Sequence, residues 1–274
     1  MINLLIDLNG TCHIGDTPTR DAVNAICKLR AFQKQDQHSL NIRFCSNTTK
    51  ESSASLLDKL RKAGFHEELV SADDLFTSLE ATKRLIDRSR LSPLLLLSES
   101  AQIVFRQDGR VAHRCFFADA AKPPSALSTA EASRLRACDA VVIGLCPELM
   151  TQAWLDEAFR LTAGEYKSDR PALLIATHRA LYHRPSADQP LSLGPGAFIS
   201  ALEAASQYQG NTTTVCGKPS REFLSECLFA MRNSSSASSQ HVEETNYIVS
   251  SLVHAGFVTA TILTLPNISV RTRF

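Results

Sequence analysis

Three short segments, far apart in the chain, each place reactive side chains directly after a strand-like run. Ile2 to Ile6 is apolar or extended and ends on Asp7, with Asn9-Gly10-Thr11 following at once. Asn41 to Cys45 repeats the pattern and delivers Ser46 and Asn47. Thr212 to Cys216 is β-rich and runs into Gly217-Lys218-Pro219. Open α/β sheets build their sites outside the carboxyl ends of parallel strands, so the spacing predicts that the three groups share one edge and converge. A carboxylate so placed is a nucleophile already ionised at neutral pH, and a lysine beside it offsets the charge of an anionic substrate. Each segment alone has a plainer reading: Asp7 capping a turn, Ser46 capping a helix, Lys218 as a solvated turn residue.

The order and spacing carry more than any one segment. DLNGT, FCSNTTKES and VCGKP resemble motifs one, two and three of the haloacid dehalogenase superfamily, in its class with a large inserted α/β cap (class IIA, C2-type). The likeness continues through Phe76-Thr77-Ser78-Leu79, Leu173 to Arg179 and Leu193-Gly194-Pro195-Gly196, and covers roughly residues 1–230. The resemblance implies an α/β fold, a Rossmann-like parallel-sheet core with an inserted α/β cap domain. The core would comprise residues 1–91 and 192–274, with the C-terminal part atypical, and the cap residues 92–191. It implies a phosphatase acting on a small phosphorylated molecule, in which Asp7 attacks phosphorus in line and water hydrolyses the aspartyl-phosphate. Backbone N–H groups of Asn9, Gly10 and Thr11 would hold phosphate oxygens. Ser46 and Asn47 would bind the phosphoryl group at a helix N-terminus, and Lys218 would neutralise it. His178 would face the substrate from the cap. Magnesium is the implied cofactor, held by Asp7 and the backbone carbonyl of Asn9, and a homodimer through the cap is the implied assembly.

Two departures set expectations for this chain. Most phosphatases of the superfamily carry an acid where Asn9 stands, and an amide cannot exchange a proton near neutral pH. Slow turnover, or substrates with good leaving groups, are therefore expected. The second departure follows residue 232. Where the family has a strand ending in Gly-Asp-Asp, this chain has Tyr247-Ile248-Val249-Ser250-Ser251, and no Asp occurs after Asp188. Magnesium usually needs one or two carboxylates besides phosphate and water, so the third metal ligand is expected to be missing. Glu243 and Glu244 precede the expected strand and read as solvated. The alternative to a phosphatase is thus an inactive phosphate-binding, dimerising relative, or a product of altered splicing, since a read-through intron or alternative exon would encode such a tail.

Composition narrows the class. With 274 residues and a net charge of +1, there is no basic stripe for nucleic acid. The first apolar run is too short to span a membrane and is broken by Asp7. Eight cysteines without a CxxC read as free thiols of a reducing, cytoplasmic compartment.

The elements needed to position the site follow from periodicity. Thr17-Pro18 reads as the cap of a helix with Ala22, Ile26, Leu29 and Phe32 on one face, and Thr48 with Glu51 as a capping box. Leu56, Leu57, Leu60 and Ala63 form the buried stripe of the next helix, and Ser78 to Ser89 is another. Pro93 to Leu97, Ala140 to Gly144 and Leu173 to Ala176 read as buried strands. Ile103 to Val111 reads as a hairpin about Asp108-Gly109, and Ala120 to Ala130 as a loop. Helices are expected over Thr151 to Thr162, which carries Trp154 and Phe159 as core or interface residues, and over Ala197 to Ser206. Asn233 to Gln240 is of low complexity. Tyr247 to Val249 is expected beside the Asp7 strand, with Phe257 to Leu265 paired beyond it.

Overall fold

The computed structural model describes residues 2–35, 40–49, 52–167, 170–183, 189–206, 213–234, 245–254 and 257–264. They fall into two compact units. One holds residues 1–46, 53–77 and 224–274, and the other 47–52 and 78–223. The inserted unit thus starts earlier than residue 92, runs on past 191, and takes in the segment after Ser46.

In the first unit, β1 (Ile2–Asp7) is followed by a tight hairpin of β2 (His13–Ile14) and β3 (Thr17–Pro18). Next come α1 (Ala22–Gln35), β4 (Leu40–Ser46), α2 (Ser53–Lys62) and β5 (Leu75–Thr77). The second unit contains α3 (Ser78–Arg88), β6 (Pro93–Leu96), α4 (Glu99–Arg106), α5 (Gly109–Ala112), β7 (Phe116–Phe117) and α6 (Thr129–Arg136). It continues with β8 (Ala140–Ile143), α7 (Gln152–Thr162) and β9 (Leu173–Ala176). A short hairpin of β10 (Tyr182–His183) and β11 (Ser192–Leu193), then α8 (Pro195–Ser206) and β12 (Thr214–Val215), complete it. α9 (Arg221–Ser234) straddles the division, and β13 (Thr245–His254) and β14 (Phe257–Thr264) return to the first unit.

The first sheet has the order β14-β13-β1-β4-β5. β13, β1, β4 and β5 are parallel, and β14 runs antiparallel to β13. Ile6 pairs with Val249 on one side and Phe44 on the other, so the tail occupies the expected position beside the Asp7 strand. Its core is built from Ile6, Leu8, Phe44, Leu60 and Phe65, all buried, with α2 contributing Leu56, Leu57 and Leu60. The stripe fits the 3.6-residue period of a helix lying on a sheet.

The second sheet, β12-β9-β8-β6-β7, is wholly parallel. Every residue of β6 and β8 is buried. Continuous apolar strands are what a parallel sheet covered on both faces requires. Trp154 is 2% exposed and belongs to this core; Phe159 packs partly buried against it.

Several local readings are corrected. Thr17 and Pro18 pair with His13 and Ile14 instead of capping α1, which starts at Ala22. α2 starts at Ser53, so Ser46 and Asn47 do not sit at a helix N-terminus; the expected capping box of Thr48 with Glu51 involves a residue outside the described ones. The expected hairpin at Ile103 to Val111 is two helices: the Asp108 carboxylate accepts from the Arg110 N–H and caps α5. Within the expected loop, Pro124 to Ala126 forms a turn of 3-10 helix, and Ser128 caps α6. Most consequential is β12. It pairs with β9 in the second sheet, so the segment leading to Lys218 is not a third strand of the Asp7 sheet. α9 extends through Ser234; the rest of the low-complexity stretch, with Glu243, Glu244 and Leu265, lies outside the described residues.

Candidate active site

Asp7 is the last residue of β1 and pairs in register with Cys45 on β4. Ser46 ends β4 and pairs with Thr77 at the end of β5. Asp7, Ser46 and Thr77 therefore end three adjacent parallel strands on one carboxyl edge. Asp7 is half-buried and Ser46 buried.

The loop after Asp7 is a single tight turn. Cys12 N–H and His13 N–H both donate to the Leu8 carbonyl, at 2.8 and 3.2 Å. Gly10 makes the turn with φ +85°, a left-handed conformation that costs a residue with a Cβ. The Thr11 hydroxyl donates to Asp7 Oδ2 at 3.2 Å, which fixes the carboxylate's direction. Two of the three N–H groups expected to hold phosphate are engaged within the loop: Gly10 N–H donates to His13 O at 2.7 Å and Thr11 N–H to Leu8 O at 3.2 Å. Asn9, whose carbonyl was expected to meet a metal, is exposed.

The second unit brings Asn47 and Lys218 together across 171 residues of chain. The Asn47 amide donates to the Lys218 carbonyl at 2.9 Å, and the Lys218 N–H donates to Asn47 Oδ1 at 2.8 Å. Paired bonds of this kind fix both position and orientation, so Asn47 holds the backbone that carries the lysine. Gly217 is required beside it: a Cβ there would lie 2.2 Å from the Thr177 carbonyl oxygen and 2.8 Å from Asn47 Oδ1.

His178 is buried, and both ring nitrogens are used. The Ala180 N–H donates to Nδ1 at 3.3 Å, which makes Nδ1 the acceptor and leaves the proton on Nε2. Nε2–H then donates to Thr49 Oγ1 at 3.3 Å, and the Leu145 N–H donates to the same oxygen at 3.1 Å. Burial, with the nearby His183 second, pushes His178 down to about 4. It is neutral at physiological pH and acts as a post between two loops. Its neighbour Arg179 is bound to Glu203, and Tyr182 is exposed. Sequence reasoning missed Thr49 and Thr77. The doubled threonine of Thr48-Thr49 was the available signal, but only the fold shows which one turns inward.

A divalent cation fits the described donors poorly. After Val249 the chain reads Ser250-Ser251, and β13 keeps its strand form to His254 where the family's acids were expected. Among the described residues no three His, Cys, Asp or Glu side chains gather as a metal-binding group. Asp7 and the Asn9 carbonyl remain the candidates, with a single carboxylate between them, the lower end of the one or two that magnesium usually takes.

Comparison with known proteins places these features. A model of the haloacid dehalogenase-like hydrolase family matches residues 4–109. Human haloacid dehalogenase-like hydrolase domain-containing protein 2 is 36% identical over 225 residues, spanning 82% of this chain and 70% of that protein. The chain belongs to the haloacid dehalogenase-like hydrolase family. A more distant member, human phospholysine phosphohistidine inorganic pyrophosphate phosphatase, is 24% identical over 83% of this chain and 70% of its own length. Among solved structures, the p-nitrophenyl phosphatase from Archaeoglobus fulgidus shares the fold, with a TM-score of 0.61 and 21% identity over 84% of this chain and 74% of that one. No described helix is long and apolar enough to cross a membrane.

Proposed function

We propose that this chain captures a small phosphorylated molecule, with Asp7 as in-line nucleophile and Lys218 as the neutralising cation, and that its magnesium-dependent turnover is little or none. The observation that carries this reading is the Ser250-Ser251 continuation of β13 in place of the family's acids. One carboxylate fewer weakens the hold on magnesium and leaves more of the negative charge of Asp7 and phosphate unscreened. One lost electrostatic contributor costs on the order of 10²–10³ in rate.

Asp7, pre-aimed by Thr11, attacks phosphorus in line; the leaving group departs with the bonding pair; water then opens the aspartyl-phosphate. Asn9 cannot protonate the departing oxygen, so an alkoxide leaves only with help from water. Groups that leave without an acid are favoured. Pyrophosphate, which the name of the more distant relative specifies, leaves as phosphate and is of that kind, and the nitrogen of a phosphorus–nitrogen bond, which that name also specifies, is basic enough to take its proton from water before it departs.

The test pairs binding with turnover on the full chain. Inorganic phosphate is expected to bind by calorimetry, and Lys218→Ala to weaken it about tenfold or more, the size of a lost charge-assisted contact. p-Nitrophenyl phosphate is expected to be hydrolysed at a rate barely above buffer, with or without magnesium. Rapid magnesium-dependent turnover that vanishes in Asp7→Asn would overturn the proposal.

A further inference from the structure

The second unit contains a cavity of about 330 Å³ that the phosphate site does not use. It lies at β7, the edge of the sheet opposite β12. Four inter-strand steps separate the two edges, roughly 19 Å at the usual strand spacing. Its walls come from α4, β7, the segment after β7, α6 and α7.

The charges on those walls do not cancel. Arg106, Lys122 and Arg134 face Asp119 and Glu131, an excess of one positive charge. Lys122 Nζ binds both oxygens of Glu131, at 2.6 and 2.8 Å, and Glu131 also accepts from Ser128 at the start of α6. Those contacts hold the Glu131 carboxyl down to about 2, so that pair is internally neutral. Asp119 Oδ1 accepts from the Ala121 N–H at 2.8 Å. The two guanidinium groups have neutral partners only, among the described residues. Arg106 donates to Gln102 Oε1 at 2.9 Å and lies 3.9 Å over the Phe117 ring. Arg134 donates to the Cys115 carbonyl at 3.4 Å. Each guanidinium carries five N–H donors, so most of both forks is left over.

Two further observations mark the cavity as a prepared site. Gln102 is buried, and its amide is locked by the Leu97 and Ala118 carbonyls at 3.0 and 2.8 Å, which fixes the oxygen that orients Arg106. Trp154 lines the cavity, is 2% exposed, and has its indole Nε1 buried with no hydrogen-bond partner. A buried N–H without an acceptor is costly and uncommon. Donors are in surplus: one indole N–H and two guanidinium forks against the single carboxylate of Asp119, beside the flat walls of Phe116 and Phe117.

We infer that this cavity is a second ligand site, for a small aromatic or heteroaromatic carboxylate. The single excess charge matches a monoanion, the forks match the two oxygens of a carboxylate, and the rings match a flat apolar body. A volume near the lower end of small-molecule cavities limits the ligand to about one ring system.

Trp154 is the chain's only tryptophan, so its indole N–H gives one resonance in a ¹⁵N-labelled sample. Benzoate is expected to move that resonance saturably, and benzyl alcohol, of similar shape without charge, to leave it in place. Arg106→Gln and Arg134→Gln both replace exposed residues, so each variant should fold, and its affinity is read as the shift from its own ligand-free resonance. Each is expected to weaken benzoate about tenfold or more, and Lys218→Ala to leave it unchanged. An absent or non-saturating shift, an equal response to benzyl alcohol, or unaltered benzoate affinity in both arginine variants would overturn the inference.

Discussion

Gly217 and Asn47 show how little freedom the lysine has. Gly217→Ala must move either its own backbone or Thr177's, because a carbonyl oxygen 2.2 Å away cannot yield as a flexible side chain would. The expected outcome is a loss of about 1–3 kcal/mol in chemical denaturation, as for an overpacked core site, with phosphate affinity falling alongside. His178 makes a different prediction, in pH. Its folded value of about 4 lies below the ordinary 6.5, so the unfolded chain binds more protons between them. Stability from this group is therefore complete above about pH 6.5 and is lost as pH falls towards 4, by on the order of 3 kcal/mol. Denaturation midpoints measured across that window should slope downward with acid, and His178→Gln should flatten the slope.

At the scale of elements, β13 carries both the novelty of the chain and a check on it. Removing everything after Arg232 strips β1 of its Ile2-to-Ile6 pairing with Thr245-to-Val249. The melting temperature should fall by several degrees, since each kcal/mol is worth about 2–4 °C at this size. An unchanged midpoint would mean that the strand contributes nothing. In the intact chain, Ser250→Asp with Ser251→Asp should bring back magnesium-dependent phosphatase activity if those positions are what turnover lacks. Elements were legible where one force dominated. The strands β6, β8 and β9 announce themselves because residues buried on both faces are uniformly apolar, and β13 and β14 because they are rich in β-branched residues. α5 was not, because Asp-Gly serves equally as a hairpin turn and as a helix cap, and only its surroundings decide. Nor was the sheet to which β12 belongs: Thr214 and Val215 suit any strand, and partner choice is a long-range matter. In the candidate site, the motifs nominate Asp7 and Lys218 from the sequence alone. The Asn47–Lys218 clamp could not be read there, since it joins residues 171 apart through side-chain geometry.

Across the whole molecule, thiol chemistry offers a test of packing that is independent of function. All eight cysteines are free, and seven are buried; Cys27, on α1, is exposed. Burial pushes the Cys115, Cys138 and Cys146 thiols up to about 11, 12 and 12, so their thiolates are scarce at neutral pH. Titration of the native protein with an aromatic disulfide should show one fast equivalent, absent in Cys27→Ser, with the remainder appearing only on unfolding. More than one fast equivalent would mean that a buried thiol opens readily.

The chain passes between the two units more often than a simple insertion would require, because residues 47–52 are grouped with 78–223 and not with the β4 strand and α2 helix that flank them. Thr49 belongs to that short loop, and it is what ties His178 to the Leu145 backbone. The larger unit is therefore not a cassette. A graft of residues 78–223 onto a relative's core would arrive without its own Thr49 and depend on whatever the host supplies there. Recombination at the outer boundaries alone should give misfolded or idle hybrids, while hybrids that carry the six-residue loop along should survive. Descent within such a family would then preserve loop and insert as one inherited block, although they lie apart in the gene.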